Sequence, residues 1–240
     1  MTGRPFRFKP CSLAGFADVR LRGATLYDLF SAVGSEGQMD YCSPAGNRIV
    51  VRGRTDLKSL KRTRLYLGGR DNCIEIADLK GVHGLDIACI DGSSVTLASP
   101  RTIRGMTVMC SHGSGIDIGR DCLVSRDVMI YASRAHGVYS VADGTRREKS
   151  GIKIGNHVWL GQGARILSGA EVGNGSIVGS YSVLAGRIPN NCAAAGNPCR
   201  VTSRDVFWLN SALPDNANYF DKKGRDELPD FISDTVDDRT

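Results

Sequence analysis

The sequence predicts an all-β chain wound as a parallel β-helix, and three observations predict it. Aliphatic residues recur every six positions, at Ile154, Leu160, Ile166, Val172, Val178 and Leu184. Glycine directly follows four of them, at Gly155, Gly161, Gly173 and Gly179. A small or aliphatic residue stands four places after each, at Val158, Ala164, Ala170, Ser176, Ser182 and Ile188. Ile, Leu and Val make up about a fifth of the chain. Six consecutive hits at one phase would then arise by chance roughly once in ten thousand. A six-residue period matches neither the helix period of about 3.6 nor the strand period of 2. It fits a short strand followed by a tight turn, and three such units close a triangular coil of about 18 residues. The aliphatics then point inward. Ile154 stacks on Val172, Leu160 on Val178 and Ile166 on Leu184, with the glycines at turns that need positive φ or close backbone approach.

The same phase runs upstream through Ile118-Gly119 with Cys122, Val124 with Val128, and Ile130. Residues 65–117 alternate less regularly, in Leu65-Tyr66-Leu67, Ile74-Glu75-Ile76, Val95-Thr96-Leu97 and Met106-Thr107-Val108. They read as earlier coils with turn insertions. The repeat region is placed at 61–200. Residues 1–60 lack the repeat and read as an N-terminal extension or cap. After Pro198 the phase stops. Ser203-Arg204-Asp205 ahead of Val206, Phe207 and Leu209 predicts a capped short helix, so 201–240 reads as a C-terminal helix and tail.

Composition narrows the function classes. The chain has 240 residues, 29 of them glycine and only 8 proline, so the glycine serves regular turns rather than a flexible linker. No stretch approaches the roughly 18 apolar residues of a membrane span. The N-terminus has charge but no apolar run behind it, so a cytoplasmic protein is expected. The eight cysteines show no CxxC pair and read as reduced core residues, with no metal site. A net charge of +6 suits an anionic cofactor or glycan, but no basic run calls for nucleic acid.

Between Ile130 and Ile152 the phase is lost. Keeping it would bury Glu148, which desolvation forbids, so 131–151 is expected to leave the coil as a protruding loop. That loop carries His136, Tyr139, Arg134 and several other basic residues. Loops on rigid scaffolds are where chemistry concentrates.

The segment SRAHGVYS, followed by GIKIGNHVWLGQGARILSGAEVGNGSIVGSYSVLAGRIPNNCAAAGNPCRV, resembles the hexapeptide-repeat acyltransferases. Within them it is most similar to the sugar and capsular-polysaccharide O-acetyltransferases, related to the galactoside and maltose acetyltransferases. The resemblance covers about residues 65–205. It implies a left-handed coil and a homotrimer with sites between protomers. It also implies acetyl-CoA as co-substrate and direct transfer without an acyl-enzyme. By position His136 is the implied general base, a role an imidazole suits near neutral pH. Trp159 of HVWLG is implied to shape the site, and Asp127 is a candidate to orient the histidine. The implied coenzyme contacts are Gln162, Ser180, Ala185 and Gly186, with Arg187, Arg200 and Arg204 as compensating cations. Arg134 and Tyr139 are candidates for contact with the acceptor.

The expected function is O-acetylation of a carbohydrate hydroxyl, foremost in a bacterial surface or capsular polysaccharide. The alternatives are acetylation of a small free sugar or a nucleotide-linked amino sugar, and a non-catalytic β-helix used for assembly.

Overall fold

The computed structural model describes residues 19–21, 39–133, 136–147 and 151–209. They wind into about six turns of parallel β-helix, the left-handed class expected from the sequence. Three sheets form the walls. The first has seven strands: Val19–Leu21, Thr63–Gly68, Leu85–Ile90, Met106–Ser111, Val128–Ala132, Arg165–Leu167 and Val183–Leu184. The second has eight, from Met39–Cys42 and Arg48–Arg52 through Gly115–Ile118 and Ile152–Ile154 to Arg187–Ile188. The third has six, from Thr102–Ile103 through Trp159–Leu160 to Arg200–Ser203.

The predicted stacking is present in register: Ile154 on Val172, Leu160 on Val178 and Ile166 on Leu184. Inward residues alternate with outward ones and are almost wholly buried. Each buried aliphatic contributes about 1.5–3 kcal/mol relative to exposure. The earlier coils are wider. Leu65, Ile87, Val108 and Ile130 stack in register at spacings of 22, 21 and 22 residues, against 18 for Ile166 and Leu184. Six-residue strands such as Leu85–Ile90 take up the difference.

The parallel stack starts at Arg48–Arg52, which pairs with Cys73–Ala77, ahead of the expected start at 61. Only Ile49 and Val51 mark it in the sequence, and two inward residues are too few to show a phase. Asp56 caps the five-residue helix Leu57–Lys61, accepting from Ser59 N at 2.9 Å.

One expectation needs correction. Where the sequence predicts a helix from Ser203, Arg200–Ser203 is a strand running antiparallel to Ala193–Ala195. Residues 206–209 follow without regular secondary structure, and 210–240 lie outside the described residues. The edge of the last coil offers unpaired backbone groups, and pairing with it outweighs a weak local helix signal.

The glycines after the inward aliphatics take the second of their two expected roles. Gly155, Gly161 and Gly173 follow the inward aliphatics but do not hold positive φ. They are there for close approach. A Cβ on Gly161 would lie 2.6 Å from Ser180 N, and one on Gly173 would lie 2.4 Å from Asn190 N. At the corner between the second and third sheets, asparagines complete this contact. Asn156 Oδ1 accepts from Arg120 N, Asn174 Oδ1 from Asn156 N and Asn190 Oδ1 from Asn174 N, at 3.0, 2.7 and 2.8 Å. Positive φ falls two places after each glycine, at His157, Gly163 and Gly175 among others.

Among the described residues no helix is long and apolar enough to cross a membrane.

Candidate active site

The break in the six-residue phase falls at the corner between the first and second sheets. The chain leaves at Val128–Ala132 and returns at Ile152–Ile154. Its described part, 136–147, is a small antiparallel hairpin. Tyr139 bridges Arg146, Ser140 N donates to Thr145 O at 2.8 Å, and Arg147 N donates to Val138 O at 2.7 Å. Asp143 ties the turn by accepting from Thr145 N and Oγ1 at 3.1 and 2.8 Å. Hydrogen bonds from Ser140 and Thr145 hold that carboxyl below its usual pKa. His136 is exposed at the foot of the hairpin. A Cβ on Gly137 would lie 2.7 Å from the Tyr139 ring. The phenol is thus folded against the backbone of Gly137, the residue that follows His136. Arg134 lies outside the described residues.

Asp127 and His136 are not brought together. Asp127 precedes the five-residue strand Val128–Ala132 and the loop follows it, a separation of about 17 Å along the strand. The Asp127 carboxylate instead pairs with Arg165 Nη2 at 2.9 Å, and Arg165 Nη1 donates to the Asp127 carbonyl. Asp127 therefore anchors Arg165 across one coil.

Trp159 stands on the outer face of the third sheet, 37% exposed. Its Nε1 donates to Ser125 Oγ at 3.3 Å. Gln162 and Ser180 lie one coil apart at the corner between the third and first sheets. Tyr181 N donates to Gln162 O at 2.7 Å and Gln162 Nε2 to Tyr181 Oη at 3.2 Å. Ala185 and Gly186 are exposed at the other corner, the one that carries the His136 loop. Nothing lies within 4 Å of where a Gly186 Cβ would be, so the backbone there is open to a ligand. Arg187 reaches Glu171 at 3.9 Å, Arg200 Nη1 donates to Cys199 O at 2.9 Å, and Arg204 is exposed just past the last strand. The expected coenzyme residues are thus spread over all three corners of one chain, Arg204 following the strand end at Ser203 that pairs with Ala193.

The structure also shows a cluster the sequence reading did not assemble. His157 is 3% exposed. Its Nδ1 faces Asp121 Oδ2 at 2.7 Å and its Nε2 faces Trp208 O at 3.1 Å. Trp208 stacks on the ring at 4.0 Å, donates Nε1 to His157 O at 2.9 Å, and lies 6.1 Å from the Trp159 ring. Arg101 Nε donates to Asp121 Oδ1 at 2.6 Å. Burial raises the Asp121 pKa, but the hydrogen bonds from Arg101 and His157 outweigh it and hold the carboxyl below its usual value. The signal for Asp121 was its place two 18-residue periods before His157. Trp208 lies beyond the repeat and gave no signal. Among the described residues no three His, Cys, Asp or Glu side chains converge to hold a metal ion.

Comparison with known proteins agrees with this architecture. Residues 151–186 match the bacterial transferase hexapeptide, a model of six repeats. The chain is 32% identical over 124 residues to the polysialic acid O-acetyltransferase of Escherichia coli O1:K1, covering 51% of this chain and 40% of that protein. It is 34% identical over 99 residues to a lipopolysaccharide biosynthesis O-acetyl transferase of Escherichia coli K12, covering 37% and 50%. The chain thus spans half or less of the length of these curated relatives. The crystal structure of a polysialic-acid-specific acetyltransferase aligns with a TM-score of 0.57 at 27% identity, covering 72% of this chain and 70% of that one. With its six-residue phase, triangular coil and matched repeats, the chain carries the bacterial transferase hexapeptide over residues 151–186 and is similar to polysialic acid and lipopolysaccharide O-acetyltransferases.

Proposed function

We propose that this chain transfers an acetyl group from acetyl-CoA to a hydroxyl of a carbohydrate, foremost a surface polysaccharide. The observation that carries the reading is an exposed histidine at the foot of an ordered hairpin, on the same corner as the open backbone at Gly186. The names of the relatives give the reaction class.

His136 takes the proton of the acceptor hydroxyl as its oxygen attacks the thioester carbonyl. The C–S bond breaks as the tetrahedral intermediate collapses, and the departing thiolate takes the proton from His136. The products are the acetyl ester and free CoA. Tyr139, folded against Gly137, forms a wall for the acceptor, and Arg134 of the same loop is a further acceptor contact. Trp159 supplies a flat apolar wall. Gln162, Ser180, Ala185 and Gly186 offer polar backbone to the coenzyme chain, and Arg187, Arg200 and Arg204 complement its phosphates. Because these groups are spread over separate corners, a site completed by a neighbouring copy fits better than one within a single chain. A homotrimer meets that requirement.

His136→Ala should lower thiol release from acetyl-CoA by at least ~100-fold while CoA binding, read by calorimetry, is retained. Near-normal turnover in that variant would sink the assignment. A panel of polymeric and simple sugars in the same assay separates a polysaccharide acceptor from a small one.

A further inference from the structure

We propose that the corner between the third and first sheets is a binding track for an acidic polysaccharide, with Arg62, His83, Arg104 and Arg126 as its contacts. The inference rests on the acetyl-transfer reading and names its acceptor class. Backbone hydrogen bonds fix the order of the residues. His83 N donates to Ile103 O at 2.7 Å, Arg104 N to Val124 O at 2.9 Å and Ser125 N to Leu160 O at 2.9 Å. His83, Arg104 and Ser125 therefore follow one another coil by coil, in steps of about 4.8 Å. Arg62 Nη1 closes on His83 Nδ1 at 3.3 Å, and Arg126 adjoins Ser125 in the chain. All four side chains are exposed.

Charge on this corner is uncompensated in a way it is not nearby. Arg64 pairs with Asp86, Arg101 with Asp121 and Arg165 with Asp127. Among the described residues no carboxylate pairs with Arg104 or Arg126. Asp127, the exposed acid next to Arg126, is held by Arg165 at 2.9 Å.

The position of the track gives it a use. It ends at Ser125, under the Trp159 indole. Past that point the same corner continues as Gln162 and Ser180, the expected coenzyme positions. An acceptor lying on the basic half would therefore meet the donor at Trp159. From Arg62 to Arg126 is about three coil steps, roughly 14 Å, which is longer than one sugar and calls for a polymer. Aromatic side chains do not alternate with the basic ones here, as a stacking platform for single-stranded nucleic acid would require. An acidic glycan, bound through its repeated charges and presenting hydroxyls, fits better.

The test compares the full chain with Arg104→Glu/Arg126→Glu, the conservative Arg104→Lys/Arg126→Lys, and Arg70→Glu, an equal charge change on another corner. Binding is measured without turnover, to polysialic acid, polygalacturonate, neutral dextran and oligothymidylate. The expected result is that one of the acidic glycans binds and dextran does not. The charge reversal should weaken that binding at least ~10-fold and raise KM for the polymer but not for acetyl-CoA. The lysine pair and Arg70→Glu should bind as the parent does, and added salt should weaken all of them. Unchanged binding by the reversed pair, equal binding of dextran, or oligothymidylate binding as tightly as the glycan each overturns the proposal. If the glycan binds through this corner but no thiol is released, the track stands and the transfer reading falls. If simple sugars are acetylated while no acidic polymer binds, the track falls and the transfer reading stands.

Discussion

At the scale of single residues, the His157 ring lies between two oxygens, one of the Asp121 carboxylate and the Trp208 carbonyl. The cluster ties the segment 206–209 to two coils of the β-helix and sets a second indole beside Trp159. Asp121 makes the arrangement sensitive to acid. Its pKa in the fold is below its ordinary value, so its contribution is complete above the unfolded pKa of about 3.9 and is lost as pH falls through the lower folded value. Stability in urea should therefore drop on going from pH 6 to pH 3, with a change in tryptophan emission as Trp208 is released. Asp121→Asn should start lower at pH 6 and lose less on acidification. An equal acid loss in both proteins would count against this role for Asp121.

At the scale of elements, each coil is set on the next through the Gly-Asn corners. Gly173→Ala places a Cβ 2.4 Å from the backbone nitrogen of Asn190. It should cost about 1–3 kcal/mol, as overpacking does, measured by denaturant unfolding. Gly186→Ala meets open space and should leave stability unchanged. The contrast was only half visible in sequence. The six-residue phase showed which residues point inward, because inward positions tolerate only aliphatic and small side chains. It did not separate glycines needed for close approach from those needed for positive φ, since that depends on the coil below. The loop that carries His136 was legible because keeping the phase would have put a glutamate in the core. The hairpin around it was not, because Ser140, Asp143 and Thr145 make a turn that no period announces. The opposition of Asp127 and His136 across a strand was equally hidden, as nine residues of sequence became the width of a wall.

At the scale of the whole molecule, the prism has three corners with different work. One carries the hairpin and the open backbone at Gly186. One is locked by asparagines and the His157 cluster. One presents the basic series that leads to Trp159. The outer face of the second sheet alternates sign from coil to coil, with Asp117, Lys153, Glu171 and Arg187 in register. That pattern stabilises the stack and leaves little net field on the face, so long-range attraction of an anionic polymer falls to the basic corner.

The terminal strands carry one more consequence. Each sheet has an antiparallel strand at one end: Val19–Leu21 on the first, Met39–Cys42 on the second and Arg200–Ser203 on the third. A stack of identical parallel rungs would otherwise be a template on which another copy could continue end to end. A strand of reversed direction presents the wrong hydrogen-bond spacing for a parallel newcomer and so limits the rod to its own length. A chain ending at Cys199 should lose that stop on the third sheet and form larger particles by light scattering, while the full chain keeps a fixed size. The reversed strands thus act as end-stops against fibre growth.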